Sequence, residues 1–231
     1  MGNPSELASS LAAAAEAINA AETLSDTLEA IARATRISVP GFDHVGISIR
    51  HRDGRIETMA GTSELVWDLD NVQYRLDEGP CVDAIRAAPV VAVPHLRHDQ
   101  RWPRYVPEAV QRGLRAQLAV QLFSDDERLG GLNLYSTVSE EIDDDAVHAA
   151  QLFATHAAIA LGRAQHEENL NQALTSRKVI GQAIGILMER YGIDEDRAFQ
   201  FMVRASSAGN IKLRDVAEDL VSGANGRSQR N

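Results

Sequence analysis

The sequence predicts an α/β (α+β) domain, an antiparallel sheet flanked by helices, followed by a long helix and an all-α three-helix module. Three observations predict it. Between residues 44 and 137, short runs alternate apolar and polar residues, the period of half-buried strands. From Asp143 the period becomes helical and stays so, with no proline to interrupt it. Charge divides near the same place: residues 166–231 carry nine Lys+Arg and nine Asp+Glu, so the formal net charge of −10 lies in residues 1–165.

Each element follows from local pattern. Residues 5–38 read as helix, with Leu7, Leu11, Ala14 and Ile18 and then Leu24, Leu28 and Ile31 recurring at three and four. Asp26 with Glu29 resembles a capping box, which places a junction of two helices near Ser25. Pro40-Gly41 ends the segment. His44 to Arg50 alternates around Val45, Ile47 and Ile49, Arg52-Asp53-Gly54 supplies a hairpin turn, and Arg55 to Thr62 returns. Residues 63–88 mix helix and loop, and Val90-Val91-Ala92-Val93 is a short strand between prolines. A helix begins near Pro103 and stops at Gly113. Arg115 to Phe123 and Arg128 to Thr137 close the sheet across the acidic turn at residues 124–127.

The helical run that follows uses Val147, Leu152, Phe153, Ile159, Leu161, Leu170, Leu174, Ile180, Ile184 and Leu187 as its apolar positions. Its polar middle, residues 165–169, favours one continuous helix, and such helices pair as coiled coils. Tyr191-Gly192 ends it. Asp194 caps a second helix, and Gly209-Asn210 separates that from a third containing Leu213, Val216, Ala217 and Leu220. The expected boundaries are 1–160 for the sheet domain with its N-terminal helices, 161–176 for a helical linker, 177–222 for the helical module, and 223–231 for a disordered tail.

Composition narrows the function. Of 231 residues 44% are hydrophobic, enough for a globular core, and no apolar run is long enough to span a membrane. The Ala-rich N-terminus carries Glu6, Glu16 and Glu22, unlike a secretory signal, so the expected location is cytoplasmic. The single cysteine, Cys81, excludes an internal disulfide and a thiolate zinc cluster. Net acidity argues against non-specific duplex binding, while leaving room for a small nucleic-acid site on the neutral module.

No nucleophile elbow, phosphate loop, zinc-binding helix or catalytic carboxylate pair is present, so no enzyme activity and no cofactor are expected. His95 and His98 come nearest to a metal pair, and no metal site is expected. Trp67, Tyr74, Cys81 and Trp102 are the candidates for a small-molecule site in the sheet domain; aromatics at such positions are more often core, and Cys81 reads better as a buried structural thiol than as a redox sensor.

The stretches Arg177 to Met188, Asp194 to Ala205 and Asn210 to Leu220 resemble the ANTAR family of RNA-binding antitermination modules. The resemblance rests on Gly181, Ala183 and Gly185 together with Asn210-Ile211-Lys212-Leu213-Arg214-Asp215-Val216-Ala217. Upstream, Gln73-Tyr74, Glu78-Gly79-Pro80-Cys81, Arg101-Trp102-Pro103 and Gly131-Leu132-Asn133-Leu134-Tyr135-Ser136 are similar to GAF domains fused to ANTAR modules in actinobacteria.

The resemblance implies a transcription antitermination regulator. Its helical module would bind tandem RNA stem-loops of nascent transcripts as a homodimer, under control of a GAF sensor that can hold a small-molecule ligand. Arg177, Lys178, Arg204, Lys212 and Arg214 could reach phosphates or base edges. Gln182, Ser206 and Asn210 could hydrogen-bond bases, and Ala183 would let a loop approach closely. Ile184 stands where many relatives have a basic residue, which moves the electrostatic load to Arg204, Lys212 and Arg214. Each residue also has a plainer account. Gly181, Ala183 and Gly185 permit tight helix packing, Arg177 and Lys178 pair with acids such as Glu168, Asn210 caps a helix, and Lys212 and Arg214 are solvated charges. Two rivals remain at this stage: a DNA-binding helix-turn-helix regulator, and a ligand-binding or dimerisation module that binds no nucleic acid.

Overall fold

The computed structural model of the chain describes residue 16 and residues 20–124 and 127–228, without the side chains of Glu168 and residues 225–228. The chain divides into two compact units, Met1–Ala164 and Gln165–Asn231. The helix expected over residues 5–20 lies almost wholly outside the described residues, as do Asp125 and Asp126 of the acidic turn.

In the first unit, helix α1 (Leu24–Ser38) opens at Thr23, whose hydroxyl oxygen accepts from the Asp26 backbone N–H at 3.1 Å and donates to the Asp26 carboxylate at 2.7 Å. Asp26 is therefore the third helical residue and not the cap: the helix begins three residues earlier, at a hydroxyl that accepts from the N–H of Asp26 itself. Strands β1 (His44–Arg50), β2 (Ile56–Gly61), β3 (Val90–Val93), β4 (Ala116–Ser124) and β5 (Glu127–Ser136) form one sheet in the order β2-β1-β5-β4-β3, antiparallel throughout. Helices α2 (Glu64–Leu76), α3 (Pro80–Arg86) and α4 (Tyr105–Gln111) complete the unit up to β5.

The sheet's register sorts its side chains between two cores. Ile47 pairs with Leu132, Val45 with Leu134, and Leu134 with Leu118, so these apolar residues share one face. They meet Leu28 and Ile31 of α1 and a stripe from helix α5 (Asp144–Tyr191): Ala146, Ala149, Ala150, Phe153, Ala154, Ala157, Ala158 and Leu161. On the other face Gly46 pairs with Asn133, Ser48 with Gly131, and Gln117 with Tyr135, and this face packs against α2, α3 and α4. The alanine stripe corrects an expectation. Leu152 and Ile159 were expected inside and are each 47% exposed, because the i, i+3, i+4 row of alanines lets α5 sit close to the sheet and turns the larger residues outward.

The second unit is three helices: the C-terminal part of α5, α6 (Glu195–Gly209) and α7 (Leu213–Ser228). Its core is Ala183, Leu187, Ala198, Met202, Val216 and Ala217. Asp194 caps α6 as expected, accepting from the Arg197 N–H at 2.8 Å. Helix α7 runs through Ser228, past Gly223 where a disordered tail was expected. Its last contacts with the core are Leu220 and Val221, and once a helix is nucleated each further residue adds a hydrogen bond despite weak propensity. No described helix is long and apolar enough to cross a membrane.

Gly130 is fixed by close approach: a Cβ there would stand 1.9 Å from the Ser48 carbonyl oxygen on the neighbouring strand, whereas at Gly131 the nearest atom is a side-chain carbon of Ile85 at 3.3 Å. Gly130→Ala should destabilise the first unit by about 3 kcal/mol or more, and Gly131→Ala by about 1 kcal/mol, in urea unfolding followed by tryptophan fluorescence. Equal effects would show that the β1–β5 approach does not restrict this position.

Candidate functional site

Two places concentrate polar chemistry. The first is the corner between α6 and α7. Asn210 ends α6 in the left-handed conformation (φ 50°), the Ile211 N–H donates to the Ser206 carbonyl at 3.1 Å, and the Ser206 hydroxyl donates to the Ile211 carbonyl at 2.6 Å. This doubly tied turn delivers Lys212 to the start of α7, where its carbonyl takes the first helical N–H groups, from Asp215 and Val216. A cation at a helix N-terminus is disfavoured by the helix dipole, and the same end is a ready anion site. Lys212 is exposed and makes no ion pair with a described residue. Arg204, exposed on α6, is likewise without an ion pair among the described residues. Arg214 is different: its guanidinium lies 3.5 Å from Asp215 and 3.4 Å from Glu218, so much of its charge is met within α7.

Ala183 does not belong to any exposed surface. It is fully buried in the three-helix core, which removes it as a contact for RNA. Gly181 and Gly185 on the same helix face open space, with nothing within 4 Å of a Cβ at either, so they do not serve tight packing in this chain. Arg177, Lys178 and Gln182 are exposed on α5, and Ile184 packs partly against the core. Glu168, the suggested partner of Arg177 and Lys178, has a side chain outside the described residues.

The second place is a buried polar cluster on the helix-covered face of the sheet. At its centre is the Asp70 carboxylate, fully buried on α2. It accepts from the hydroxyls of Tyr135 and of Thr58, the latter at 2.7 Å. The Tyr74 hydroxyl donates to Ser48 at 2.6 Å, and the Asn133 amide reaches Ser48 at 2.9 Å and the Cys81 sulfur at 3.1 Å. Gln73 donates to Tyr135 at 3.2 Å and accepts from the Cys81 backbone N–H at 2.9 Å; Gln117 and Tyr105 extend the chain. Asn133 Oδ1 is buried with no hydrogen-bond partner.

Two family models match the chain: GAF domain over residues 21–162 and ANTAR domain over residues 168–221. The chain is a GAF–ANTAR protein. Solved structures agree on the fold of the first domain. The GAF domain of an Acinetobacter phosphoenolpyruvate-protein phosphotransferase aligns with TM-score 0.59 and 15% identity, over 73% of this chain and 99% of that one. The phycoerythrobilin-bound GAF domain of a cyanobacterial phytochrome aligns at 0.54 and 17%, over 70% and 97%. The type II free methionine-R-sulfoxide reductase of Thermoplasma acidophilum aligns at 0.51 and 16%, over 61% and 93%. No curated protein matches.

Within the GAF domain the four candidate ligand residues are not brought together. Tyr74 and Cys81 share the buried cluster, meeting at Ser48. Trp67 is 40% exposed and lies over Gly61. Trp102 is buried, donates to Asp83 at 3.0 Å, and carries the Arg101 guanidinium 4.3 Å above its ring. Burial, helped by the nearby Asp70 charge, pushes the Cys81 thiol up to about 12, so it is not a thiolate at neutral pH. His95 pairs with Glu140 at 3.2 Å, and no group of metal ligands occurs among the described residues.

Asp70, Ser48 and Asn133 escaped the sequence reading. The signal that could have found them is phase: Asp70 and Gln73 fall on the same helical stripe as Val66 and Leu69, and Asn133 and Tyr135 lie on the face opposite Leu132 and Leu134. Burial pushes the Asp70 carboxyl up to about 6, against the hydrogen bonds from Tyr135 and Thr58 that favour its charge. The sign follows from proton binding. Between the ordinary carboxyl value near 4 and about 6 the folded state holds a proton that the unfolded state has released, so stability falls as pH rises through that window. Asp70→Asn should remove this component: the stability of the parent relative to the variant should fall by roughly 3 kcal/mol between pH 4 and 7, read from urea unfolding by the fluorescence of Trp67 and Trp102. A parent-minus-variant difference that does not change with pH would show that Asp70 titrates alike in both states.

Proposed function

We propose that this GAF–ANTAR protein is a cytoplasmic RNA-binding antitermination regulator, not an enzyme. Its ANTAR domain binds tandem stem-loops of nascent transcripts as a dimer, under the control of the GAF domain. The observation that carries this reading is the α6–α7 corner, where a rigid turn presents Lys212 at a helix N-terminus with Arg204 nearby in sequence, both exposed and without an ion pair to a described residue. Phosphate is the group such an end accepts best. Residues 166–231, which contain the ANTAR domain, carry zero net charge, nine Lys+Arg against nine Asp+Glu, so the domain has few cations to spend. That suits a compact RNA loop better than a duplex, which is held through many phosphate contacts.

Dimerisation is supported by α5. Leu152 and Ile159, and further along Leu170 and Leu174, are exposed on a helix with few other large apolar residues facing solvent. Two modules on two hairpins of one transcript would gain affinity through effective concentration. A GAF ligand would work on a domain whose polar interior is hydrogen-bonded apart from Asn133 Oδ1, so control would pass through rearrangement of that network.

In gel shifts at matched salt, a paired-hairpin RNA should bind in preference to duplex DNA of equal length; the opposite order rules out the RNA reading. Lys212→Ala should weaken hairpin binding about tenfold, while Arg214→Ala should cost less, because Arg214 already faces Asp215 and Glu218. Light scattering should give the same oligomeric state for both variants and the parent. A larger loss at Arg214 than at Lys212 would overturn the assignment of Lys212 as the main phosphate contact.

A further inference from the structure

Between α6 and α7 the ANTAR domain has an open groove of about 290 Å³, lined by Phe201, Ala205, Ile211, Val216 and Leu220, with Asp219 the one charged side chain lining it among the described residues. Phe201 is 44% exposed and Ile211 46%, so two large apolar side chains that could have entered the core stand at a solvent-open site. The Phe201 ring is steadied by Tyr191, with centroids 6.1 Å apart and planes tilted by 32°. Asp219 makes no ion pair with a described residue; the neighbouring cation, Arg214, turns to Asp215 and Glu218 instead.

We propose that this groove receives one unpaired base from the RNA loop, stacked on Phe201 and held at its edge by the Asp219 carboxylate. The proposal rests on the RNA-binding reading above and adds the base contact to it. Three features favour a nucleobase over an apolar peptide side chain. An exposed aromatic face beside aliphatic walls is the platform on which unstacked bases rest. A carboxylate at the edge of such a platform only accepts hydrogen bonds, so it favours bases that carry an exocyclic amino group, which uracil lacks, as acidic side chains select the cytosine amino group in duplex DNA. Cations flank the groove in sequence: Arg204 follows Phe201 by one helical turn, and Lys212 directly follows Ile211, placing phosphate contacts beside the base site. A site whose acid has no ion-pair partner among the described residues gains nothing from an uncharged aliphatic partner.

The test is a selection from a pool of RNA hairpins with randomised loops, using the full chain and its Phe201→Ala, Phe201→Leu, Asp219→Asn and Lys212→Ala variants. The parent should recover loops in which one position is held to guanine, adenine or cytosine. Phe201→Ala should weaken the best of these by about tenfold, with Phe201→Leu close behind, since leucine fills the groove but offers no ring. Asp219→Asn should relax the choice at that one position and admit uracil, leaving the other positions alone. If Lys212→Ala abolishes recovery while the Phe201 and Asp219 variants keep the parental loops and affinities, the groove proposal is wrong and the RNA reading stands. If the parent recovers no loop, both fall. Unchanged RNA binding with altered oligomeric state in Phe201→Leu assigns the groove to a protein partner and contradicts the proposal.

Discussion

Both cores of this chain close on the same helix. The row from Ala146 to Leu161 covers one face of the GAF sheet, and the row of Ala183 and Leu187, with Val179, Ile180 and Ile184, forms one side of the ANTAR core. No described side chain between residues 162 and 178 is buried, so that stretch is held by its backbone ladder and by good helix formers such as Ala164, Gln165, Leu170 and Ala173. Along this segment Leu170 and Leu174 are more than half exposed.

The other organising feature is the Asp70 carboxylate. Buried without a cation, it needs donors at both oxygens, and an unmet buried charge is costly. Thr58 and Tyr135 provide them and in turn engage Tyr74 and Gln73, so polar residues of β1, β2, β4, β5 and α2 form one connected set. The opposite face of the same sheet is apolar, made of valine, leucine and isoleucine with Ala60. One domain thus pairs a face chosen for packing with a face chosen for hydrogen bonding, and a change in protonation or in a single partner is felt across the second face.

Much of this was legible in the sequence, for physical reasons that differ by element. The order of strands and helices followed from periods of two and of three to four, and Asp194 was recognisable as a cap because carboxylates satisfy the free N–H groups of a first turn. Thr23 was overlooked because Asp26 offers a similar signal three residues later. Leu152 and Ile159 misled because hydrophobicity alone ranks them above alanine, although close approach to a sheet favours alanine. Asp70 was invisible for the opposite reason: a polar residue in phase with an apolar stripe counts as noise until its partners, drawn from strands far along the chain, are known. Among the RNA candidates, the turn from Ser206 to Lys212 could be read as a set, whereas the burial of Ala183 depended on helices from elsewhere in the module.

The functional account therefore rests on a small corner, a turn locked by Ser206 that carries Lys212 at a helix start beside a groove holding Phe201 and Asp219. Hydrogen–deuterium exchange of the full chain with and without a paired-hairpin RNA tests it most directly. New protection should be confined to the ANTAR domain and strongest from Arg204 to Val216. Protection centred on the GAF sheet, or none in residues 204–216 when RNA is bound, would contradict it.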